Sequence, residues 1–162
     1  MTENSAVPSL YEWLGKAEVL RKLTARFYER VLADDLLLPL FAGMPQDHPR
    51  HVADFVGEVM GGAPDYTATR GGHHIMLGQH FGRNISEEQR RRWVDLLLDT
   101  ADEVGLPNDP EFRSAFVAYL EWGSRLAVIN SKLPPEAGSD PSTPMPHWDW
   151  GVPGGPYIEK KN

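Results

Sequence analysis

No cysteine occurs anywhere in the 162 residues. That excludes a disulfide framework, a thiolate nucleophile, iron–sulfur ligation and any cysteine-containing zinc site, so a bound metal must rely on histidine or carboxylate. Basic residues are also scarce: 16 Lys plus Arg stand against 23 Asp plus Glu, a formal charge of −7. This balance leaves no cationic surface for phosphate contacts and argues against nucleic acid and anionic membrane partners. Long apolar runs are missing too, since no stretch approaches the roughly 18 residues that a membrane span needs. The first residues, Met1 to Ser5, lack the basic start and apolar run of a secretory leader, so a cytoplasmic protein is expected. Neither a Gly-rich phosphate loop after a strand nor a Gly-x-Ser-x-Gly turn is present, which leaves nucleotide binding and serine-triad chemistry without support.

What is there is helical. With 41% hydrophobic residues the chain suffices for one domain with a buried core and not comfortably for two. Apolar positions recur at helical spacing with no sustained period-2 alternation, so an all-α fold is expected. Ser9 and Glu12 have capping-box spacing and open a short helix that stops near Gly15. From Lys16 to about Asp34 a second helix carries Val19, Leu20, Leu23, Phe27 and Val31 on one face. Leu36, Leu37, Leu38, Leu40 and Phe41, punctuated by Pro39, Gly43 and Pro45, make an apolar corner too short for a full helix and expected to be buried. Pro49 suits a first helical turn, after which Val52, Phe55, Val56, Val59 and Met60 keep helical spacing up to Gly61 and Gly62.

Residues 63–73 show no periodicity and read as a loop running into a short helical element from His74 to Phe81. Ser86 and Gln89 form a second capping box, for a helix with Trp93, Leu97, Thr100, Ala101 and Val104 on one face and Gly105 and Pro107 at its end. Asp109 and Pro110 start the last helix, with Phe112, Phe116, Tyr119, Gly123, Leu126 and Ala127 inward, ending near Asn130. Residues 1–130 thus form the helical domain. From 131 to 162 the composition changes: seven of the 14 prolines fall in 32 residues, which predicts an extension that is docked or disordered rather than helical. Its aromatics, Trp148, Trp150 and Tyr157, predict that Met145 to Gly151 docks on the body or on a partner subunit in a homodimer.

Six histidines remain as chemistry-bearing residues, five of them between 48 and 80. A lone histidine is most simply a surface or capping residue, but His80 follows Met76 by four positions and Leu77 by three, on an apolar helical face. An imidazole there needs a hydrogen-bond partner or a metal, and haem iron held by a single histidine is one solution. Such a pocket also needs a greasy wall and an opposing polar group. Tyr28, beside Phe27 at the margin of its helix's apolar stripe, offers an O–H donor; otherwise it is a core-edge tyrosine. Trp93 brings an indole N–H that needs a partner if buried, or simply packs in the core. The pairs His48/His51 and His73/His74 suggest zinc, but lack a carboxylate at the usual spacing and the His-Glu-x-x-His pattern.

Several segments together resemble one family: Arg26 to Arg30 (RFYER), Leu38 to Ala42 (LPLFA), Phe55 leading to Gly61 and Gly62, Arg70 to His80 (RGGHHIMLGQH), Ile85 with Ser86, and Trp93. From about Leu10 to Asn130 the chain looks like a group II truncated haemoglobin. The resemblance implies a two-over-two helical sandwich around one haem b, with His80 matching the proximal iron ligand, Tyr28 the distal hydroxyl and Trp93 the distal tryptophan. It also implies that Phe41 packs on the haem, that His48 and Val52 face the ligand, and that His51 lies near a propionate. With Phe55, Met76, Leu77 and Ile85, these residues make up the expected cofactor-contacting set. Family members usually carry a small residue where His48 stands, and His48 precedes Pro49 at the start of its helix, leaving open whether it faces iron or solvent.

Dioxygen, carbon monoxide and nitric oxide are then the expected small ligands. Two donors on a bound ligand imply slow release, which argues against bulk oxygen delivery and suits nitric oxide dioxygenase or peroxidase-like chemistry that needs a separate reductase. Two other classes compete with this reading. One is a helical-bundle hydrolase or transferase using its histidines for a non-haem metal; the other is a cofactor-free interaction module that binds through its aromatic tail.

Overall fold

The computed structural model describes residues 6–151, which form eight helices and no strand. They are α1 (Leu10–Leu14), α2 (Lys16–Leu32), α3 (Leu38–Phe41), α4 (His48–Val59), α5 (Asp65–Arg70), α6 (His73–Gly78), α7 (Glu87–Glu103) and α8 (Pro110–Ser131). Tyr157 lies outside the described residues. The frame consists of α2 packed on α4 and α7 packed on α8, with α2 also crossing α7. That is the two-over-two arrangement expected.

Local chemistry sets the helix ends. Ser9 accepts from Glu12 N at 3.0 Å, and Ser86 accepts from Gln89 N at 3.0 Å while Gln89 Oε1 accepts from Ser86 N at 2.9 Å. Each box satisfies donors that a helix start leaves without partners. Asp109 caps α8 through Phe112 N at 2.9 Å. The α1–α2 junction turns at Gly15, whose φ of +113° suits glycine, and a Cβ there would lie 2.4 Å from Val19 Cγ2.

Leu20, Leu23, Phe27 and Val31 of α2 are buried against Phe55, Val59 and Met60, and against Leu97 and Ala101 of α7. Burying side chains of this size is worth about 1.5–3 kcal/mol each.

Four expectations need correction. Residues 63–73 are not all loop, because α5 occupies 65–70. It is held by the buried carboxylate of Glu58, which accepts from Thr67 N at 2.9 Å and Thr67 Oγ1 at 2.6 Å. The helical element near His80 runs from His73 to Gly78, so His80 stands in the turn beyond it, its N–H donating to Leu77 O at 3.1 Å. The corner around α3 is only partly buried: Leu37 is 1% exposed but Leu38 is 38% exposed, because Leu37, Leu40 and Phe41 wall a cavity rather than a filled core. On α7 the buried face begins with a charge, Arg90, while Trp93 and Val104 are only half-buried.

The extension after α8 is non-helical to its last described residue and docks on the body. Trp148 donates through its backbone N to Val59 O at 2.8 Å and through Nε1 to Ala115 O at 3.0 Å. Trp150, also buried, donates to Pro8 O at 2.7 Å and meets Trp13 edge-on at 5.6 Å.

Candidate functional site

Between the helix pairs lies a cavity of about 240 Å³, lined mainly by hydrocarbon from α2, α4, α6 and α8. Tyr28, Phe41, His48, Val52, Phe55, Met76, Leu77, His80, Ile85 and Trp93 all line it. His51 does not. It sits one turn beyond His48 with Nε2 3.2 Å from Asp47 Oδ2, outside the lining.

Tyr28 reaches the cavity because α2 is buried along both Phe27 and the flank beside it, and the ring is 3% exposed. Its ring meets Phe41 at 5.7 Å and His48 edge-on at 4.9 Å. Burial raises the phenol's pKa well above its ordinary value, only partly opposed by a hydrogen bond from Trp93, so the hydroxyl keeps its proton. Trp93 stands beside the phenol, and because indole can only donate, any bond between them runs from its N–H to the phenol oxygen. Trp93 is fixed by an edge-on contact with Phe27 at 5.3 Å.

His48 is the first residue of α4 and faces inward. Its ring stands 6.2 Å from Phe41, and Nε2 is buried without a hydrogen-bond partner. Burial, helped by the nearby charge of His51, lowers its pKa to about 4, so it is a neutral imidazole at pH 7. His80 enters from the turn after α6. Burial, and then Arg83, lowers its pKa to about 4, so its ring is also neutral and offers a lone pair. The Met76 carbonyl opposes that shift, yet Nδ1 has no well-formed hydrogen bond.

Sequence reasoning missed several lining residues. Arg90 is buried and tied to Glu87 at 2.6 Å, Ser124 at 3.2 Å and Glu121 at 3.3 Å. Tyr119, Trp122, Gln79 and Arg83 also line the space, as does His73, whose ring stacks between Phe55 at 5.8 Å and Trp122 at 6.4 Å. The apolar register of α8 pointed inward at Phe116, Tyr119, Gly123, Leu126 and Ala127, all of which line the space, but not at Trp122. Nothing in local pattern marks a buried arginine.

Buried polar groups are normally paired, and here Nε2 of His48 and Nδ1 of His73, His74 and His80 are not. Among the described residues no three His, Asp or Glu side chains gather into a metal set, so the pairs 48/51 and 73/74 lack a third ligand. The lining instead suits a flat apolar group gripped by one neutral imidazole, with further polar groups facing it: a haem fits these residues.

Comparison with known proteins agrees with that geometry. The bacterial-like globin family model matches residues 9–122. The chain is 33% identical over 118 residues to group 2 truncated hemoglobin YjbI of Bacillus subtilis, covering 73% of this chain and 86% of the relative. Among solved structures it is similar to the truncated oxygen-avid haemoglobin from Bacillus subtilis, with a TM-score of 0.66 and 31% identity over 75% of this chain and 99% of the other. It also shares the fold of the group II truncated hemoglobin from Bacillus anthracis, with a TM-score of 0.70 at 21% identity, covering 83% and 98% of the two chains.

Proposed function

This chain belongs to the bacterial-like globin family, in its truncated group II branch with haem b as cofactor, and from that premise we propose that it is a cytoplasmic protein that binds dioxygen and other diatomic ligands reversibly and releases them slowly. One observation carries the reading: a single apolar cavity brings a neutral buried imidazole, His80, together with a protonated buried phenol, Tyr28. When bound, haem iron supplies the reversible capture of a diatomic gas. His80, kept neutral by burial, is the residue that holds the iron. Phe41, Val52, Phe55, Met76, Leu77 and Ile85 exclude water from the macrocycle's faces. Tyr28 points its proton into the same space, and Trp93, donating to the phenol oxygen, orients it and strengthens it as a donor. His48 stands beside Tyr28 as a second neutral group able to donate to a ligand. His51, outside the lining and 3.2 Å from Asp47, is the residue proposed to meet a propionate.

A hydrogen bond to a partly anionic acceptor is worth about 1.5–3 kcal/mol, which slows release on the order of tenfold to a hundredfold. Retention on that scale suits capture or conversion of a ligand better than bulk delivery. The same donors favour nitric oxide or peroxide chemistry, which consumes electrons, and a separate reductase is the proposed source of them.

Adding hemin to the purified protein tests the reading. An intense Soret band that shifts with carbon monoxide is expected, while His80→Ala should lose the hemin or hold it only with added imidazole. A parent protein that stays folded and takes up no hemin would end this interpretation.

A further inference from the structure

The segment that carries His80 is a weak element by itself. Helix α6 has six residues, its N-cap is Gly72, and no side chain caps it. A helix this short does not persist without tertiary support. The C-terminal extension supplies that support from the turn past His80 back to Gly78, running against the segment in the reverse direction. Beyond His80, Gly82 N donates to Leu133 O at 2.7 Å, and the Pro135 ring fills the space above Gly82, where a Cβ would lie 2.4 Å from Pro135 Cγ. At α6 itself, Ser139 Oγ lies over Gly78.

The extension ends on a ladder of rings. His73 stacks on Trp122 at 6.4 Å, and Trp122 lies 5.7 Å from Trp148, whose indole is fixed to Ala115 O at 3.0 Å. Trp148 therefore braces the first residue of α6 through Trp122, while Leu133 and Pro135 hold the turn just past its end. His80 lies between those two braces. Trp150 belongs to a different anchor, on Trp13 and Pro8, away from α6.

We infer that residues 133–148 are a positioning strap for the wall that presents His80, with Trp148 and His73 as its positioning residues. The strap limits how far the imidazole can tilt or move toward the cavity. This rests on the reading of His80 as the iron ligand, but the support of residues 73–83 does not, and the two parts separate by experiment.

Full-length Trp148→Ala and Trp150→Ala are compared with the parent, the second serving as a control that removes a more deeply buried indole from the same extension. Amide hydrogen exchange over residues 73–83 of the hemin-free protein reads the support. We expect it to speed by about tenfold in Trp148→Ala and to stay near the parent rate in Trp150→Ala. Resonance Raman of the ferrous hemin-loaded forms reads the positioning, and the iron–histidine stretching band should shift or broaden in Trp148→Ala only. Should Trp148→Ala not fold, Trp148→Phe, which keeps the ring and loses the bond to Ala115, replaces it with the same expectations at smaller size. Equal effects of the two variants on both readouts, or faster exchange with an unmoved band, would overturn the positioning role. A parent without any iron–histidine band would instead remove the ligation of His80, leaving exchange alone to decide whether the strap supports α6.

Discussion

Tyr28 shows how burial turns an ordinary side chain into a directed donor. Its phenol is pushed away from ionisation by the surrounding hydrocarbon, and the Trp93 indole beside it can only donate, so the hydroxyl's own proton serves the cavity that Tyr28 lines. Tyr28→Phe therefore removes the donor and at the same time orphans the Trp93 N–H. Oxygen dissociation in the hemin-loaded protein should quicken by about tenfold to a hundredfold, as expected for losing one hydrogen bond to a partly charged acceptor. Trp93→Phe should also quicken it, by less, and the double variant should fall well short of the product of the two, because the donors act in series. Stopped-flow release rates for the three variants check this. Multiplicative effects would mean that Trp93 reaches the ligand independently.

Among the elements, those whose ends carry their own chemistry depend on one or two hydrogen bonds. At the start of α7, Gln89 completes the capping box and its Nε2 also donates to Leu36 O at 3.3 Å, tying the helix to the approach to α3. Ser86→Ala should cost about 1 kcal/mol in urea unfolding. Gln89→Ala keeps the backbone N–H that bonds Ser86 Oγ but loses both the acceptor for Ser86 N and the link to Leu36, two bonds against one, and should cost more. Equal costs would show that the link to Leu36 contributes nothing. These same boundaries were legible in the sequence. Ser9 with Glu12, Ser86 with Gln89 and Asp109 with Pro110 announce helix starts by local chemistry, and the long apolar stripes of α2, α4 and α8 follow from period alone. The site residues were legible mostly through resemblance, since spacing singled out His80 but gave Tyr28 and Trp93 as plausible core residues. What escaped was non-local. Helix α5 is too short to show a period and is held by Glu58 from another helix, while the burial of Arg90 depends on Glu121 and Ser124 across the α7–α8 contact. The turn at His80 lies beyond the end of α6 and its neighbour Gly82 packs on the extension, a contact that no reading of residues 73–82 reveals.

At the scale of the whole molecule, a sandwich built around a cavity relies on its rims, and here ion pairs join the layers. Arg26 and Arg30 of α2 both meet Glu103 at the end of α7, Arg92 meets Asp34 at 2.7 Å, and the buried Arg90 links Glu87 of α7 to Glu121 of α8. Exposed pairs contribute little one by one, but Arg90 is buried and leaves an uncompensated charge if its carboxylates are protonated. Its hydrogen bonds hold Glu87 down to a pKa of about 2 from an ordinary 4.5. A carboxylate with a lowered folded pKa contributes stability that is present above the unfolded value and fades as pH falls toward the folded one. The contribution of Glu87 should thus be complete above about pH 4.5 and disappear progressively toward pH 2, with Glu121, lowered chiefly by Arg125, fading in the same direction. Urea midpoints measured from pH 7 down to pH 3 on the parent and on Glu87→Gln provide the check. The variant should start lower at pH 7, since Arg90 keeps only Glu121 and Ser124. It should then lose less between pH 4.5 and 3, so that the two curves converge in acid. Curves that stay parallel throughout would show that the Arg90 cluster does not set the acid stability of the sandwich, and the rim contacts on Glu103 and Asp34 would have to carry it instead.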